Sequence, residues 1–174
     1  MNYENFPQFF TATILEWQPL LANDTYKEII IESLRYLVTE KRATIYSFVI
    51  MPNHIHLIWQ VSDEWKPRQV QQSFLKYTAQ QIKFDLQKND PQLLERFKVN
   101  AADREYQFWE RNALSVDLFS EKVFDQKFDY IHENPIQEKW KLAVYAEDYR
   151  WSSAKFYLTG VDDFDLLTHY ASGE

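Results

Sequence analysis

The chain contains no cysteine, and its 174 residues include only two glycines, Gly160 and Gly173. Without cysteine, neither a disulfide nor a thiolate metal site can form. With so little glycine, the sequence has no glycine-rich phosphate loop and no dinucleotide-binding fingerprint. No apolar stretch reaches the length of a membrane span, and the N-terminal residues lack the pattern of a signal peptide. We therefore expect a soluble, cytoplasmic protein.

Positive charge is also scarce. The chain has 19 Lys and Arg residues against 26 Asp and Glu residues, which gives a formal net charge of -7. This balance argues against a protein that wraps duplex DNA by charge alone, although it allows a local basic groove. Hydrophobic residues make up 45% of the chain and aromatic residues 17%. That composition predicts a single globular domain with a sizeable core.

The most informative stretch covers residues 46–59 and reads YSFVIMPNHIHLIW. It predicts two hydrophobic strands joined by a turn, with His54 and His56 at the start of the second strand. Because side chains alternate between the faces of a strand, both imidazoles point the same way. Neutral imidazoles bind divalent metals, so the pair is a candidate metal site. Taken alone, such a pair is more often two histidines on a solvated strand face.

Hydrophobic periodicity predicts the order strand, helix, strand, strand, helix, strand, followed by a further helix and an irregular tail. This is the order of an α+β, ferredoxin-like split βαβ sandwich, in which helices cover one face of an antiparallel sheet. The other face, with the two histidines, would be open to a ligand. The predicted strands are residues 9–15, 44–50, 54–61 and 113–118, and the predicted helices are residues 25–42, 68–86, 93–97 and 121–134.

The helix predicted over residues 121–134 carries a polar stripe. Residues three and four apart share a helical face, so Lys127, Tyr130 and Asn134 lie in line beside an apolar stripe that would pack on the sheet. Tyr130 borders the apolar stripe, and by pattern alone it would be a core tyrosine. His132 lies roughly 200° around the helix from Tyr130, at about 100° per residue, so a surface or capping role is predicted for it.

The stripe and the histidine pair together are compatible with phosphoryl chemistry. A divalent ion held by His54, His56 and the amide oxygen of Asn134 would withdraw charge from a bound phosphate. Tyr130 in line with that phosphate could then attack phosphorus, while Lys127 stabilises the negative charge. The spacing allows this chemistry without requiring it.

Four blocks of the sequence resemble the REP-associated tyrosine transposases, which are relatives of the single-tyrosine HUH transposases of small insertion sequences. The blocks are MPNHIHLIW at residues 51–59, YQFWER at 106–111, FDYIHENP at 128–135 and DYRWSS at 148–153. They occur in the family's order and extend over most of the chain. One H-x-H is a weak signal, whereas the ordered set is a strong one.

The resemblance implies a ferredoxin-like domain over residues 1–174, with a catalytic core to about residue 134 and a C-terminal tail, residues 135–174, packed on it. Family members cleave single-stranded DNA next to short imperfect hairpins, the REP palindromes. They leave a 5′-phosphotyrosine and a free 3′ hydroxyl, and rejoining needs no nucleotide cofactor. A homodimer is found among the insertion-sequence relatives, but REP-associated members can act as monomers, which favours a monomer here.

The resemblance also assigns roles to single residues. Tyr130 would be the nucleophile, and His54, His56 and Asn134 would hold Mg²⁺ or Mn²⁺. Tyr77 is a rival tyrosine on the preceding predicted helix, and the order of the blocks assigns it to packing.

Hairpin binding would depend on local residues, because the chain is acidic and lacks the basic residue that family members commonly carry soon after the Asn-Pro pair. The candidates for phosphate contacts are Lys76, Lys83, Arg104, Arg111, Lys139, Lys141 and Arg150, with Trp109 and Trp151 for base stacking. Each could equally be a solvated charge or a packed indole.

Three functions remain open. The first is a metal-dependent, single-tyrosine DNA strand transferase, and the presence of His54, His56, Tyr130 and Asn134 favours it. The second is a DNA-hairpin-binding protein that no longer cuts. The third is a metal-dependent phosphohydrolase that uses water, which would form no covalent intermediate.

Overall fold

The computed structural model describes residues 5–173, which form four strands and five α-helices. The strands are β1 (Gln8–Thr13), β2 (Ala43–Ile50), β3 (His54–Val61) and β4 (Leu114–Asp117). The helices are α1 (Asp24–Thr39), α2 (Pro67–Asn89), α3 (Pro91–Glu95), α4 (Glu121–Glu133) and α5 (Ala154–Thr159). The sheet is antiparallel in the order β2-β3-β1-β4, which confirms the predicted ferredoxin-like sandwich. Among these described residues, no helix combines the length and apolar character needed to cross a membrane.

Local sequence explains where the helices begin. The Asn23 side chain accepts a hydrogen bond from the Thr25 backbone at the start of α1, and the Ser120 hydroxyl accepts one from Val123 at the start of α4. Helix α2 begins with Pro67. Proline lacks a backbone N–H, but the N–H groups of the first helical turn have no partner within the helix, so no hydrogen bond is lost.

Helices α1 and α2 cover one face of the sheet. The side chains of His54 and His56 lie on the opposite face. Phe74 of α2 meets Phe10 of β1 and Trp59 of β3 edge-on, with ring centroids 6.5 and 6.0 Å away. All three rings are buried, and burial of a large apolar side chain contributes about 1.5–3 kcal/mol. This layer holds the larger part of the core and fixes the strands that carry the site.

Helix α4 lies on the opposite face, over β2 and β3, so the prediction of a face left open by helices is wrong for that half. The cause is Ile131 of α4, which is fully buried against the sheet. Over β4 the same face remains accessible, since Leu114 and Val116 are exposed in the part of the chain described, whereas Phe9 of β1 on that face is buried. The site therefore lies at the border between a covered and an accessible half.

The C-terminal segment runs along the outer edge of β2 and is more ordered than the predicted irregular tail. The backbone N–H of Ile50 donates to the carbonyl of Trp151, and the N–H of Ser153 donates to the carbonyl of Phe48, at 2.8 and 3.0 Å. Farther on, the N–H of Thr168 donates to the carbonyl of Ile45 at 2.9 Å. These bonds satisfy backbone groups of β2 that would otherwise form an exposed sheet edge.

Candidate active site

His54 and His56 lie side by side at the start of β3, as the alternation of strand side chains predicts. Both are buried, and their ring centroids are 4.7 Å apart. In the antiparallel register, Thr13 and Thr11 of β1 are their respective partners. Phe9 stacks on His56 at 5.2 Å and forms part of the apolar floor of the site.

Each imidazole is oriented by a hydrogen bond at Nδ1. Asn53 Oδ1 lies 2.7 Å from Nδ1 of His54, and because this oxygen can only accept, Nδ1 is the donor. The Thr11 hydroxyl lies 2.7 Å from Nδ1 of His56. The bond to Asn53 therefore leaves the lone pair of His54 at Nε2. The Thr11 hydroxyl can accept from His56 Nδ1 in the same way, and that tautomer leaves the lone pair of His56 at Nε2 for a metal.

The surroundings keep both histidines uncharged at neutral pH. Burial, aided by the positive charge of Lys139 and opposed by the neighbouring Asn134 side chain, lowers the pKa of His54 to about 4. Burial also lowers the pKa of His56 to about 3, and His54, Lys127 and Lys139 act in the same direction. Since metal binding needs a free lone pair, both rings are available as ligands without prior loss of a proton.

Helix α4 brings the predicted nucleophile to the histidines. The ring of Tyr130 lies 5.2 Å from that of His56, and 39% of this residue is exposed to solvent. Lys127, one turn earlier, places its ammonium group 4.8 Å from the ring of Phe9 and 5.8 Å from that of Tyr130. The site therefore combines a phenol, a cation and two neutral imidazoles.

Asn134 completes the group at the C-terminal end of α4. It is only 2% exposed, and it lies close enough to His54 to influence the pKa of that imidazole. Within residues 5–173, neither Asn134 Oδ1 nor His56 Nε2 has a hydrogen-bond partner. Buried polar atoms are normally paired, and a bound cation would satisfy both of these atoms.

The donor set suits a divalent ion that also takes oxygen from water or phosphate. Two imidazoles and a neutral amide supply only three donors, and no cluster of three or more His, Cys, Asp or Glu side chains suited to a metal occurs in the described part of the chain. No carboxylate therefore balances the charge of the ion. Lys127 and Lys139 make the surroundings more positive still, so an anionic ligand would strengthen the binding of the ion.

Comparisons with known proteins identify the family. The chain matches the family described as IS200-like transposases over residues 18–134, which is most of its length. It belongs to the IS200-like transposases. This match includes the histidine pair, Tyr130 and Asn134 but ends before the C-terminal segment. No curated protein matches the chain.

Two solved structures share the fold of this IS200-like transposase. One is a REP-associated tyrosine transposase bound to a REP hairpin, with a TM-score of 0.62 and 18% identity over 98% of this chain and 92% of the other. The second is a protein of Deinococcus radiodurans R1 described as a transposase, with a TM-score of 0.50 and 14% identity over 77% of this chain and 94% of the other. The fold expected from the resemblance is confirmed.

Two other predicted positions differ from expectation. His132 is half-buried rather than on the surface, because its Nε2 lies 2.7 Å from the Ser153 hydroxyl and 3.2 Å from that of Ser47. It links α4 of the IS200-like transposase to β2 and to the C-terminal segment. Tyr77, expected to pack, is exposed on α2, which covers the face of the sheet away from the histidines.

Four of the predicted DNA contacts line one open groove of about 1130 Å³ between α2 and the segment that leads into β4. These residues are Lys76, Arg104, Trp109 and Arg111. Asp103, which also lines the groove, pairs with Arg104 at 2.6 Å and with Arg111 at 3.6 Å. The groove is therefore not strongly basic, and it lies on the α2 side of the sheet of this IS200-like transposase.

The other predicted DNA contacts are dispersed. Lys139 lies nearest the site, since its charge acts on both His54 and His56. Lys83 lies over the ring of Tyr106, and Lys141 pairs with Glu138 at 2.8 Å. Arg150 lies over the ring of Trp151 and 3.8 Å from Glu28.

The two predicted stacking residues are buried in the core. Trp109 and Trp151 are each 6% exposed, and the indole N–H of Trp109 donates to the hydroxyl of Thr78 at 3.1 Å. A ring packed on both faces cannot receive a base, so burial argues against the stacking role of both. A signal for this lay in the aromatic richness of the chain, since most aromatic residues of a small domain are packing residues.

Sequence reasoning missed three residues that shape the site. Thr11 and Asn53 orient the imidazoles, and the ring of Trp17 lies 6.3 Å from that of His54. Asn53 is part of the MPNHIHLIW block, where the sequence indicated only a turn. No local pattern marks Thr11 or Trp17, because their proximity follows from the pairing of β1 with β3.

Proposed function

We propose that this IS200-like transposase is a metal-dependent enzyme that cuts and rejoins single-stranded DNA beside a hairpin. Tyr130 is the nucleophile, and His54, His56 and Asn134 hold Mg²⁺ or Mn²⁺. One chain supplies all of these groups, so a monomer is sufficient. The likeness in fold to a REP-associated transposase that binds a REP hairpin supports a hairpin substrate.

A single observation carries this proposal: His56 Nε2 and Asn134 Oδ1 are buried, have no hydrogen-bond partner among residues 5–173, and occur beside a partly exposed tyrosine. Leaving a buried polar group unsatisfied destabilises a protein by about 1–3 kcal/mol. A fold that leaves two such groups in one small site, next to a potential nucleophile, is better explained by ligand binding than by packing. Tyr130 is accessible where a core tyrosine would be covered.

The covalent step balances without an added reactant. Tyr130 Oη forms a bond to phosphorus as the bond from phosphorus to the 3′ oxygen breaks, and the phenolic proton passes to solvent. The departing 3′ oxygen takes up a proton and becomes a 3′ hydroxyl. Attack by a 3′ hydroxyl on the phosphotyrosine reverses the step, so joining needs no nucleotide cofactor.

The remaining residues stabilise charge. A divalent ion at this site would withdraw electron density from the phosphate when bound. Lys127 lies against the ring of Tyr130, where its ammonium group favours the phenolate and the negative charge of the phosphate. Lys139 adds positive charge on the His54 side, which offsets part of the overall acidity where the DNA backbone would lie.

Substitution of the nucleophile tests the proposal. The probe is a hairpin oligonucleotide copied from DNA flanking the gene, labelled at its 3′ end and incubated with Mn²⁺. We expect the native protein to form an adduct that survives a denaturing gel, Tyr130→Phe to form none while binding the hairpin equally well, and Tyr77→Phe to behave like the native protein. Tyr77 is the matched control because it is an exposed tyrosine on the other side of the sheet.

Other outcomes have distinct meanings. A full yield of adduct from Tyr130→Phe would exclude Tyr130 as the nucleophile. Cleavage without any adduct in the native protein would instead indicate hydrolysis by water. If the protein binds the hairpin but does not cleave it with any divalent metal ion added, it binds DNA but no longer cuts it.

A further inference from the structure

Trp17 is an exposed indole at the edge of the candidate active site. It is 63% exposed, although its ring centroid lies only 6.3 Å from that of the buried His54. Its exposure shows that the ring is not held by the core. A large aromatic side chain that is left in solvent next to a proposed metal ligand is available to a ligand of that site.

The backbone that carries Trp17 is strained. Glu16 and Trp17 have φ values of 55° and 57°, and the N–H of Gln18 donates to the carbonyl of Leu15 at 3.2 Å, which closes a tight turn around them. Two consecutive positive φ values are normally the work of Gly, Asn or Asp. Here they occur at a glutamate and a tryptophan. Strain of this kind persists only where the surroundings enforce it, and it is common at functional sites.

Three contacts enforce the turn. The N–H of Ile14 donates to the carbonyl of Asn53 at 2.8 Å, and the N–H of Glu16 donates to a carboxylate oxygen of Glu110 at 2.6 Å. The side-chain amide of Asn53 donates to the carbonyl of Trp17 at 3.3 Å. The same side chain orients His54, so Asn53 holds both the backbone of Trp17 and the imidazole of His54.

Four rings follow one another across the site. Tyr130 lies next to His56, His56 next to His54, and His54 next to Trp17, with centroid distances of 5.2, 4.7 and 6.3 Å. The proposed nucleophile and the exposed indole therefore lie at the two ends of this series of neighbouring rings. A single strand of DNA whose phosphate lies over the histidines would carry a neighbouring base to Trp17.

We propose that Trp17 stacks on an unpaired base of single-stranded DNA next to the phosphate that is cut. This inference rests on the proposed function and adds a base-binding site to it. Stacking uses the π face that every base has, so Trp17 contributes affinity and position with little sequence preference. A base fixed there would hold the strand so that its phosphate stays within reach of Tyr130.

Abasic substitution in the DNA locates the contact. The Tyr130→Phe protein, which cannot form the adduct, is titrated in Mn²⁺ with the flanking hairpin oligonucleotide and with versions that lack one base at each successive unpaired position. We expect one position to weaken binding roughly fivefold to a hundredfold, because base stacking on an aromatic side chain contributes that much. When Trp17→Ala is combined with Tyr130→Phe, binding of the intact oligonucleotide should weaken by the same factor as the abasic position causes. Removing the base at that position should then have no further effect on binding.

Two further variants separate stacking from structure. Trp17→Phe keeps an aromatic ring and should retain most of the abasic effect. Trp65→Ala removes another exposed indole, which lies against Arg42 beyond the far end of β3, and should leave the abasic profile unchanged. Thermal unfolding of Trp17→Ala within about a degree of the parent protein would show that the fold is intact, as expected for an exposed side chain.

The inference is overturned if Trp17→Ala shows the same abasic profile as its parent, or if Trp65→Ala reproduces the loss. Failure of the inference and failure of the proposed function can be distinguished, because the first is measured by DNA binding and the second by adduct formation. A native protein that forms no adduct would contradict that function, while the binding profile would still report on Trp17.

Discussion

The hydroxyl oxygen of Thr11 lies 2.7 Å from Nδ1 of His56, a residue 45 positions later in the chain. The two are register partners across β1 and β3. With the proton on Nδ1, the contact leaves the lone pair on the buried Nε2, which has no hydrogen-bond partner among the described residues. In the proposed metal site, the orientation of His56 on β3 therefore depends on a side chain of β1.

Replacing this hydroxyl should weaken metal binding. Thr11→Val keeps the shape of the side chain but removes the hydroxyl that hydrogen-bonds to His56 Nδ1, and loss of such a partner typically lowers metal affinity about 10–100-fold. Calorimetric titration with Mn²⁺ measures the change. Thr13→Val makes the same substitution opposite His54, which is oriented by Asn53 instead, and should change the affinity little. Equal affinity losses in both variants would contradict a specific role for Thr11.

The histidines themselves should be required for both metal binding and cleavage. His54→Ala combined with His56→Ala removes two of the three proposed ligands, so calorimetry should detect no Mn²⁺ binding and gels should show no adduct. His169→Ala, which replaces an exposed histidine of the C-terminal segment, is the control and should behave like the native protein. Unchanged Mn²⁺ affinity in the double variant would place the metal elsewhere.

Asn134→Asp should strengthen metal binding and destabilise the metal-free protein. A carboxylate adds the negative charge that the donor set lacks, and the affinity for Mn²⁺ should rise by about tenfold or more. Without the ion, the same charge is buried without a metal partner, so the melting temperature should fall. The increase in melting temperature on adding Mn²⁺ should therefore exceed that of the native protein. An unchanged affinity would argue that residue 134 does not contact the ion.

The protein should lose stability as the pH falls below neutrality. Burial lowers the pKa of His54, His56 and His132 to about 4, 3 and 4, from an ordinary value of 6.5. The unfolded chain then takes up protons below about pH 6.5 while the folded protein does not. The free energy of unfolding is thus level above pH 7 and falls between about pH 6.5 and pH 4, by about 2 kcal/mol per histidine at pH 5.

His132→Gln isolates one of these contributions. The variant keeps a polar group near Ser47 and Ser153 but has no proton to take up, so its stability should depend less on pH by about 2 kcal/mol between pH 7.5 and pH 5. At pH 7.5 it should be less stable by about 1 kcal/mol, since the hydrogen bonds are altered. Urea unfolding at the two pH values measures both quantities. An unchanged dependence on pH would show that His132 is protonated in the folded protein.

Local patterns predicted the secondary structure and part of the site. The alternation of side chains along a strand predicted that His54 and His56 share one face of β3. The spacing of three and four residues predicted that Lys127, Tyr130 and Asn134 lie in line along α4. The bounds of β3 agree with the predicted residues 54–61 because the turn before it and the apolar run within it are both clear in the sequence. Membership of the family over residues 18–134 supports the combination of the two elements in one protein.

Long-range pairing could not be predicted from one sequence. Thr11 reaches His56 only through the register of β1 on β3, and Ser153 reaches His132 only because the C-terminal segment returns to β2. The apolar stripe of α4 was predicted to pack on the sheet, but the sequence did not indicate that Ile131 would pack against the face that carries the histidines. The positive φ values at Glu16 and Trp17 were also unpredictable, because neither residue type favours them.

Asn53 uses both ends of its amide, with Oδ1 accepting from His54 and Nδ2 donating to the carbonyl of Trp17. A flip of the amide would break both bonds, so the conformation of the turn and the orientation of the imidazole are thermodynamically linked. By reciprocity, a ligand that steadies the turn raises the affinity of His54 for its ion, and the ion raises the affinity of the turn for that ligand by the same factor. DNA and metal would thus bind cooperatively through one side-chain amide.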